Sequence, residues 1–447
     1  MKTINELIEK YNRPVPRYTS YPPVPFWHNI PSEKEWITHI KSNYQEDVGV
    51  DLYVHVPFCE SLCYYCGCNR TITKNHDVED FYLAALLKEW EIYKEKLGFT
   101  LKINSLHFGG GTPTFLSPKN LEKLIMTLLQ NKSKSFIGSI EIDPRTCNDG
   151  HLEVLSRCDI KRVSLGIQDF DPDVQKAINR DQSPTMVELL VEKLRLNDFT
   201  SINFDLIYGL PKQSLDSISK TIEIVAKMKP DLIAFYSYAH LPERIKNQRL
   251  IVESDLPSPE LKRELYDLGK KLLIENGYVD VGMDHFALPS SFLYQAMMEK
   301  KLHRNFMGYV DKKSSILIGL GPSSISDSGM SFVQNVKDVK AYEKKVQSGE
   351  LPFEIGHTQN KNDLLIQKII LEMMCHHEIA ISNKEGLPYW EEIEKELKGF
   401  LNDGIIEMEN NQIRITPIGK GFVRNVAMIF DYHLREQTTK VKFSQTI

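Results

Sequence analysis

From residue 51 onward, apolar positions alternate between two rhythms. Short runs rich in β-branched and aromatic residues read as strands at 52–58, 105–111, 139–144, 162–168, 201–209, 232–238 and 278–286. Between them lie amphipathic stretches with helical spacing. One is VEDFYLAALLKEWEIYKEKL (78–97), whose apolar positions include Phe81, Leu86 and Trp90. Repeated alternation of strand and helix predicts an α/β fold with a parallel sheet and helical crossovers. Polar and glycine residues gather where each strand should end, in HFGGGTP, EIDPR, GIQDF, FDLIYGLP and MDHF. In parallel barrels that rim carries the catalytic groups.

The two ends of the chain follow other rules. Residues 1–45 carry little periodicity, and RPVPRYTSYPPVPFW within them must be largely extended, because proline fixes its own φ and restrains its predecessor. Tyr18, Tyr21, Phe26 and Trp27 favour an arm docked on the body over a solvated tail. After about residue 355, helical segments lead to a hairpin, IIEMENNQIRITPIG, and a last helix, GKGFVRNVAMIFDYHL. This pattern is winged-helix-like. The expected division is an arm (1–45), a barrel (46–350) and a small, mostly helical C-terminal domain (351–447).

Composition narrows the function classes. The chain has 447 residues and a formal net charge of −5, which argues against a general nucleic-acid binder and makes the C-terminal unit a packing element. No run of about 18 apolar residues is present, so no membrane span is expected. The start lacks the apolar core of a secretory signal, and a cytoplasmic location is expected. Of seven cysteines, four crowd into one loop: Cys59, Cys63, Cys66 and Cys68 in YVHVPFCESLCYYCGCNR. In a chain of this length that pattern reads as metal binding or catalysis, not as disulfide stapling.

The first three cysteines are spaced C-x3-C-x2-C. Structural zinc usually takes paired ligands from two separated places and needs a closed set of four. Here all candidates share one loop, and a single residue separates Cys66 from Cys68, so both reaching the same metal would be strained. A four-iron cluster on three thiolates, with one iron left open for a ligand, fits better than zinc.

The same loop, with Tyr65 before the third cysteine and GGGTPT after the next strand, resembles the radical S-adenosylmethionine enzymes. The resemblance extends along RPVPRYTSYP, HFGGGTPTFL, EIDPR, SLGIQDF, NFDLIYGLPKQ, YAHLPER, GMDHFALP and HRNFMGY to the oxygen-independent coproporphyrinogen III oxidases. It implies a partial (β/α)6-type TIM-like barrel. It implies a [4Fe-4S] cluster on Cys59, Cys63 and Cys66, with S-adenosyl-L-methionine on its open iron as the source of a 5′-deoxyadenosyl radical. Tyr53, Gly110, Glu141 and Ile325 would contact the cofactor that is cleaved. Tyr65, Gly111, Thr112, Gln168, Arg180, Asp205 and Ala239 would line a neighbouring site able to hold a second one. No catalytic side chain is expected beyond these ligands.

The implied reaction turns two propionates of coproporphyrinogen III into vinyl groups, giving protoporphyrinogen IX in haem biosynthesis. Arg17 and Arg304 are the candidates for the substrate carboxylates, with Arg13 and Arg180 considered beside them. A monomer reduced by a flavodoxin or ferredoxin, with no nucleic-acid partner, completes the expectation. Rival readings are a haem-binding chaperone or another porphyrin- or haem-directed radical enzyme on the same fold. Cys68 and the RYTSYP arm oppose the chaperone. Two departures stand out: Met307 where the family has Gln, and Tyr65 where Phe is common.

Overall fold

The computed structural model of the chain describes residues 2–313, 315–381, 384, 386–437 and 443. Six strands, Val50–Val56, Ile103–Gly110, Lys132–Ile142, Ile160–Gln168, Ser201–Tyr208 and Leu232–Ser237, lie side by side in chain order. Each pairs in parallel with the next, and helices fill the connections between them. This is the α/β partial barrel expected. The helix Val78–Leu97 has the expected bounds and ends at Gly98, whose left-handed φ closes it. Leu86 and Trp90 are buried, but Phe81 is 74% exposed. Apolar spacing locates a helix without saying which of its apolar residues meets the core.

Side chains alternate across each strand. On the first strand Val50, Leu52, Val54 and Val56 are fully buried. Asp51 faces the lumen, with Ser105 and His107, Ser139, Arg162 and Ser164, and Asn203 from the next four strands. These residues line a cavity of about 160 Å³. Met307 and Tyr309, from the hairpin His303–Asn305/Gly308–Val310, close its side. Met307 therefore lines this lumen, where its thioether offers a soft apolar surface.

The barrel stays open and the sheet grows at both edges. On one side Leu317–Leu320 pairs in parallel with the first strand, and Ile325–Asp327, Ser331–Asn335 and Phe353–Thr358 follow antiparallel. The main sheet thus runs past residue 350. On the other side the expected strand 278–286 is two, Val279–Gly282 and His285–Ala287. Positive φ at Gly282 (149°) and Met283 (47°) folds them into an antiparallel pair. The expected last helix is likewise broken, into Gly419–Phe422, Val423–Met428 and Tyr432–Glu436. A three-stranded sheet of Glu378–Ala380, Gln412–Ile415 and Ile406–Glu409 contains the expected hairpin.

Residues 12–31 run mostly extended between two short helices that periodicity did not show, Ile4–Tyr11 and Glu33–Asn43. Thr3 with Glu6, and Ser32 with Glu35, form reciprocal N-terminal caps, which start helices too short for a clear apolar stripe. Tyr18, Tyr21, Phe26 and Trp27 are all buried. Tyr11 stacks on Phe400 with centroids 4.9 Å apart, and Trp27 stacks on Phe332 at 5.2 Å.

A buried carboxylate ties these parts together. Asp363 accepts from His357 Nε2 at 3.0 Å, His433 Nε2 at 2.7 Å, Tyr432 Oη at 2.6 Å and the Asn360 amide at 3.0 Å. Burial opposes its ionisation, but these donors outweigh it and hold its carboxyl well below the usual range. A depressed carboxyl pKa contributes stability above the unfolded value of about 4 and loses it as pH falls below that. Asp363→Ala strands several buried donors and should cost on the order of 3–5 kcal/mol at pH 7. Denaturant melts should show the deficit shrinking below pH 4; a deficit independent of pH would refute the ionic origin.

Candidate active site

The cysteine loop leaves the first strand at Pro57. Phe58–Cys59 pairs in parallel with Thr71–Ile72, so the two ends of the loop are tied together over the barrel mouth. Asn247 Nδ2 reaches the carbonyls of Cys63, Tyr64 and Cys66 at 3.2, 2.8 and 3.0 Å. Asn179 Nδ2 donates to Leu62 O at 2.8 Å. A segment with almost no secondary structure is thereby held by side-chain amides from a later turn and from the short 3₁₀ helix Lys246–Leu250.

The thiols are free and their surroundings suit thiolates. Thr112 Oγ1 donates to Cys59 Sγ at 3.3 Å. Arg180 Nη1 and Arg145 Nη2 approach Cys63 Sγ at 3.5 and 3.7 Å. Burial pushes the Cys59 thiol up to about 11; Thr112 pulls it down, and the nearby Cys66 and Cys63 sulfurs add to the rise. The Cys66 and Cys63 sulfurs therefore lie near that of Cys59, and Cys68, whose residue is exposed, lies beside Cys66. Cys68 donates toward Cys66, whose thiol falls to about 6 despite burial. Three converging thiols with hydroxyl and guanidinium donors aimed at them fit an iron–sulfur cluster.

The second strand ends in Gly109, Gly110 and Gly111. Gly110 has φ +114°, and a Cβ there would lie 2.7 Å from the His55 ring. Its amide donates to Glu141 Oε2 at 3.1 Å. A Cβ on Gly111 would meet Phe58 O at 2.8 Å, so the glycines let this backbone pass directly under the cysteine loop. His55 Nε2–H donates to Asn69 O at 2.9 Å, and Nδ1 accepts from Tyr53 Oη at 3.0 Å. Burial lowers the His55 pKa, keeping the ring neutral as these bonds require. Tyr53 also stacks on His107, with centroids 5.9 Å apart.

The next strands supply the polar groups. Asp143, just past Glu141, pairs with Arg145 at 2.7 Å and Arg180 at 3.2 Å. Burial resists its ionisation, yet the Arg180 charge and the Arg145 bonds hold its carboxyl at about 2. Arg180 Nη2 donates to Gly166 O at 2.6 Å. The Gln168 amide lies over the same glycine, 2.9 Å from where a Cβ would be. Asp205 accepts from Ser164 Oγ at 2.7 Å and Asn203 Nδ2 at 2.9 Å, and burial lifts its carboxyl to about 6. Tyr65 feels the charge of Arg180. Ala239 is exposed and enters only through its carbonyl, which accepts from Gln248. Ile325 lies on the far side of the first strand, where its carbonyl would meet a Cβ on Gly319 at 2.6 Å.

A basic pocket adjoins this mouth. Arg17 pairs with Asp284, and Arg304 Nε donates to Arg17 O at 3.3 Å. Arg304 is 4% exposed, and its Nη1 has no hydrogen-bond partner. Burial, with the charges of Arg424 and Arg304, lowers Arg17 to about 10. Tyr236 links the regions, feeling Asp205 and Glu141 as well as Arg17 and Arg304. Burial, with Arg304 and Arg17, pushes His285 down to about 3, so it stays neutral there. Sequence reasoning quoted EIDPR and GMDHFALP but passed over Asp143, Arg145, Asp284 and His285; His55 and Arg424 were missed too. The charged pair within EIDPR, two residues past Glu141, was the available signal.

Fold and site together define a radical S-adenosylmethionine protein, and the model of the Radical SAM superfamily matches residues 53–225. Similarity to known proteins goes further. An oxygen-independent coproporphyrinogen III oxidase of Pseudomonas aeruginosa is 39% identical over 99% of this chain and 98% of its own. The Escherichia coli protein of the same description is 36% identical with the same coverage. A solved structure of coproporphyrinogen III oxidase from Escherichia coli, described as a radical SAM enzyme, superposes with a TM-score of 0.88 at 34% identity, covering 96% of this chain and 98% of that one. The chain belongs to the oxygen-independent coproporphyrinogen III oxidase family. Among the described residues no helix is long and apolar enough to cross a membrane.

Proposed function

We propose that the chain converts two propionates of coproporphyrinogen III into vinyl groups, giving protoporphyrinogen IX. The observation that carries this reading is the juxtaposition of a three-thiol loop with an arginine-rich pocket on one barrel mouth. The propionate carbon that must lose hydrogen has no acidic proton, so no side-chain base can take it at neutral pH. Reduced cluster and S-adenosylmethionine together supply the one-electron chemistry that removes such a hydrogen atom. Each conversion then releases carbon dioxide and one further electron to an acceptor.

The protein's part is to hold and aim. Cys59, Cys63 and Cys66 would carry the cluster. Tyr53, Gly110, Glu141 and Ile325 would hold the cofactor that is cleaved. Gly111, Thr112, Gln168, Arg180 and Asp205, with Tyr65 and Ala239, would line the adjoining site. Arg304 and Arg17 present two guanidinium groups against the carboxylate of Asp284, with Arg304 Nη1 unpartnered, a surplus suited to a substrate with four carboxylates. The buried aromatics of residues 12–31 close one side and exclude water. A monomer in the reducing cytoplasm, served by a flavodoxin or ferredoxin, completes the proposal.

The test is anaerobic reconstitution followed by reductant, S-adenosylmethionine and coproporphyrinogen III, with mass spectrometry of the porphyrin product. Cofactor cleavage without loss of carbon dioxide would defeat the assignment. Within that assay, Arg304→Met should raise the substrate KM roughly ten- to a hundredfold, the worth of a charged hydrogen bond. Uncoupled cofactor cleavage should persist. Arg17→Ala should do more, because it also leaves Asp284 unpaired beside the substrate. Unchanged KM in both variants would remove the pocket from substrate binding.

A further inference from the structure

Two arginines converge on one sulfur. Arg180 Nη1 and Arg145 Nη2 lie 3.5 and 3.7 Å from Cys63 Sγ. Both also grip Asp143 Oδ2, at 3.2 and 2.7 Å. Arg145 closes a fork on this carboxylate, with Nε and its own amide each 3.0 Å from Oδ1. Arg180 enters over Gly166, where a Cβ would sit 2.9 Å from its Nη2. Cys63 and Arg180 are 7% and 6% exposed, so water screens the charges little. The triad of two guanidiniums and one carboxylate leaves one net positive charge beside Cys63. Cys59 differs, receiving only the neutral Thr112 hydroxyl at 3.3 Å.

We propose that the Asp143–Arg145–Arg180 triad sets the reduction potential of the cluster, holding it less negative than three thiolates alone would. The proposal rests on the assignment of Cys59, Cys63 and Cys66 as cluster ligands. Reduction adds one electron, taken from a low-potential one-electron donor, and makes the cluster one unit more negative. Positive N–H donors at a ligand sulfur favour that more negative state. The Asp143 carboxylate opposes them, so the triad has an internal sign. Losing a guanidinium should lower the potential; losing the carboxylate should raise it. A role limited to bracing the loop predicts no such opposition.

The test uses the full-length protein, reconstituted without oxygen and with S-adenosylmethionine omitted. Iron and sulfide are counted, and the midpoint is read by electron paramagnetic resonance during a redox titration with mediators. Arg145→Met should shift the midpoint to more negative potential. Asp143→Asn keeps the Oδ1 acceptor for Arg145 and should shift it to more positive potential. Unchanged midpoints, or shifts in the same direction, overturn the proposal. If Arg145→Met assembles an incomplete cluster, Asp143→Asn decides alone, and the absence of a positive shift overturns it. A wild-type protein that assembles no four-iron cluster on its three cysteines defeats the ligand assignment instead.

Discussion

Cys59→Ser, Cys63→Ser and Cys66→Ser are each expected to lose the cluster and all turnover, whereas Cys68→Ser keeps both iron and sulfide. The Cys66 and Cys63 sulfurs lie close enough to Cys59 at the barrel mouth to add to the rise that burial gives its thiol pKa, as nearby anions must. Each has a distinct anchor. Thr112 holds Cys59, Arg145 and Arg180 hold Cys63, and Asn247 holds the backbone on both sides of Cys66. A serine hydroxyl is a poor ligand for iron that prefers soft thiolates. Cys68 lies two residues on, exposed, where the chain turns back toward Thr71. Its carbonyl accepts from Arg70 at 2.9 Å, an interaction its side chain does not need. Iron and sulfide analysis of the four reconstituted variants, with absorbance near the cluster bands, separates them. Loss of the cluster in Cys68→Ser would make it a ligand and overturn the three-to-one division.

The parts that sequence made legible and the parts it did not follow from range. The six parallel strands are buried on the helix side and end in polar rims, so each carries a local signature in its own residues. The cysteine loop is local too, and its spacing alone pointed to the cluster. The break at Gly282 and Met283 was hidden, because a positive φ at methionine leaves no compositional mark. The helix Ile4–Tyr11 was hidden by its length, and only its cap at Thr3 and Glu6 announces it. Charge pairing was least visible. Arg180 meets Asp143 across 37 residues, and Arg17 meets Asp284 across 267. Arg17 is half-buried against one carboxylate and two other arginines. Sequence can nominate such residues, but only the folded barrel mouth says which charges share a wall.

Gly110→Ala should be as damaging as losing a cluster ligand, although it adds one methyl group. At φ +114° an L side chain is strained, at a cost of roughly 1–3 kcal/mol. The new Cβ would also stand 2.7, 2.8 and 2.9 Å from three atoms of the His55 ring. That ring cannot step aside cheaply. Its Nε2 holds Asn69 O at the end of the cysteine loop, and its Nδ1 holds Tyr53 Oη. The main chain before it is held as well, since Tyr82 Oη donates to His55 O. Displacing His55 therefore moves the cysteine loop and Tyr53 together, while the Gly110 amide loses its line to Glu141. Gly98 is the matched control. It has φ +74° and nothing within 4 Å of a built Cβ, so Gly98→Ala bears backbone strain without collision. Gly110→Ala is expected to cut turnover by a hundredfold or more, since a misplacement of about 1 Å in an aligned site has that effect. S-adenosylmethionine binding, read by the perturbation it causes in the cluster's paramagnetic spectrum, should weaken with it. Gly98→Ala should lower the melting temperature slightly and leave turnover intact. Wild-type cofactor binding in Gly110→Ala would mean that the His55 ring is not what transmits this glycine's conformation to the site.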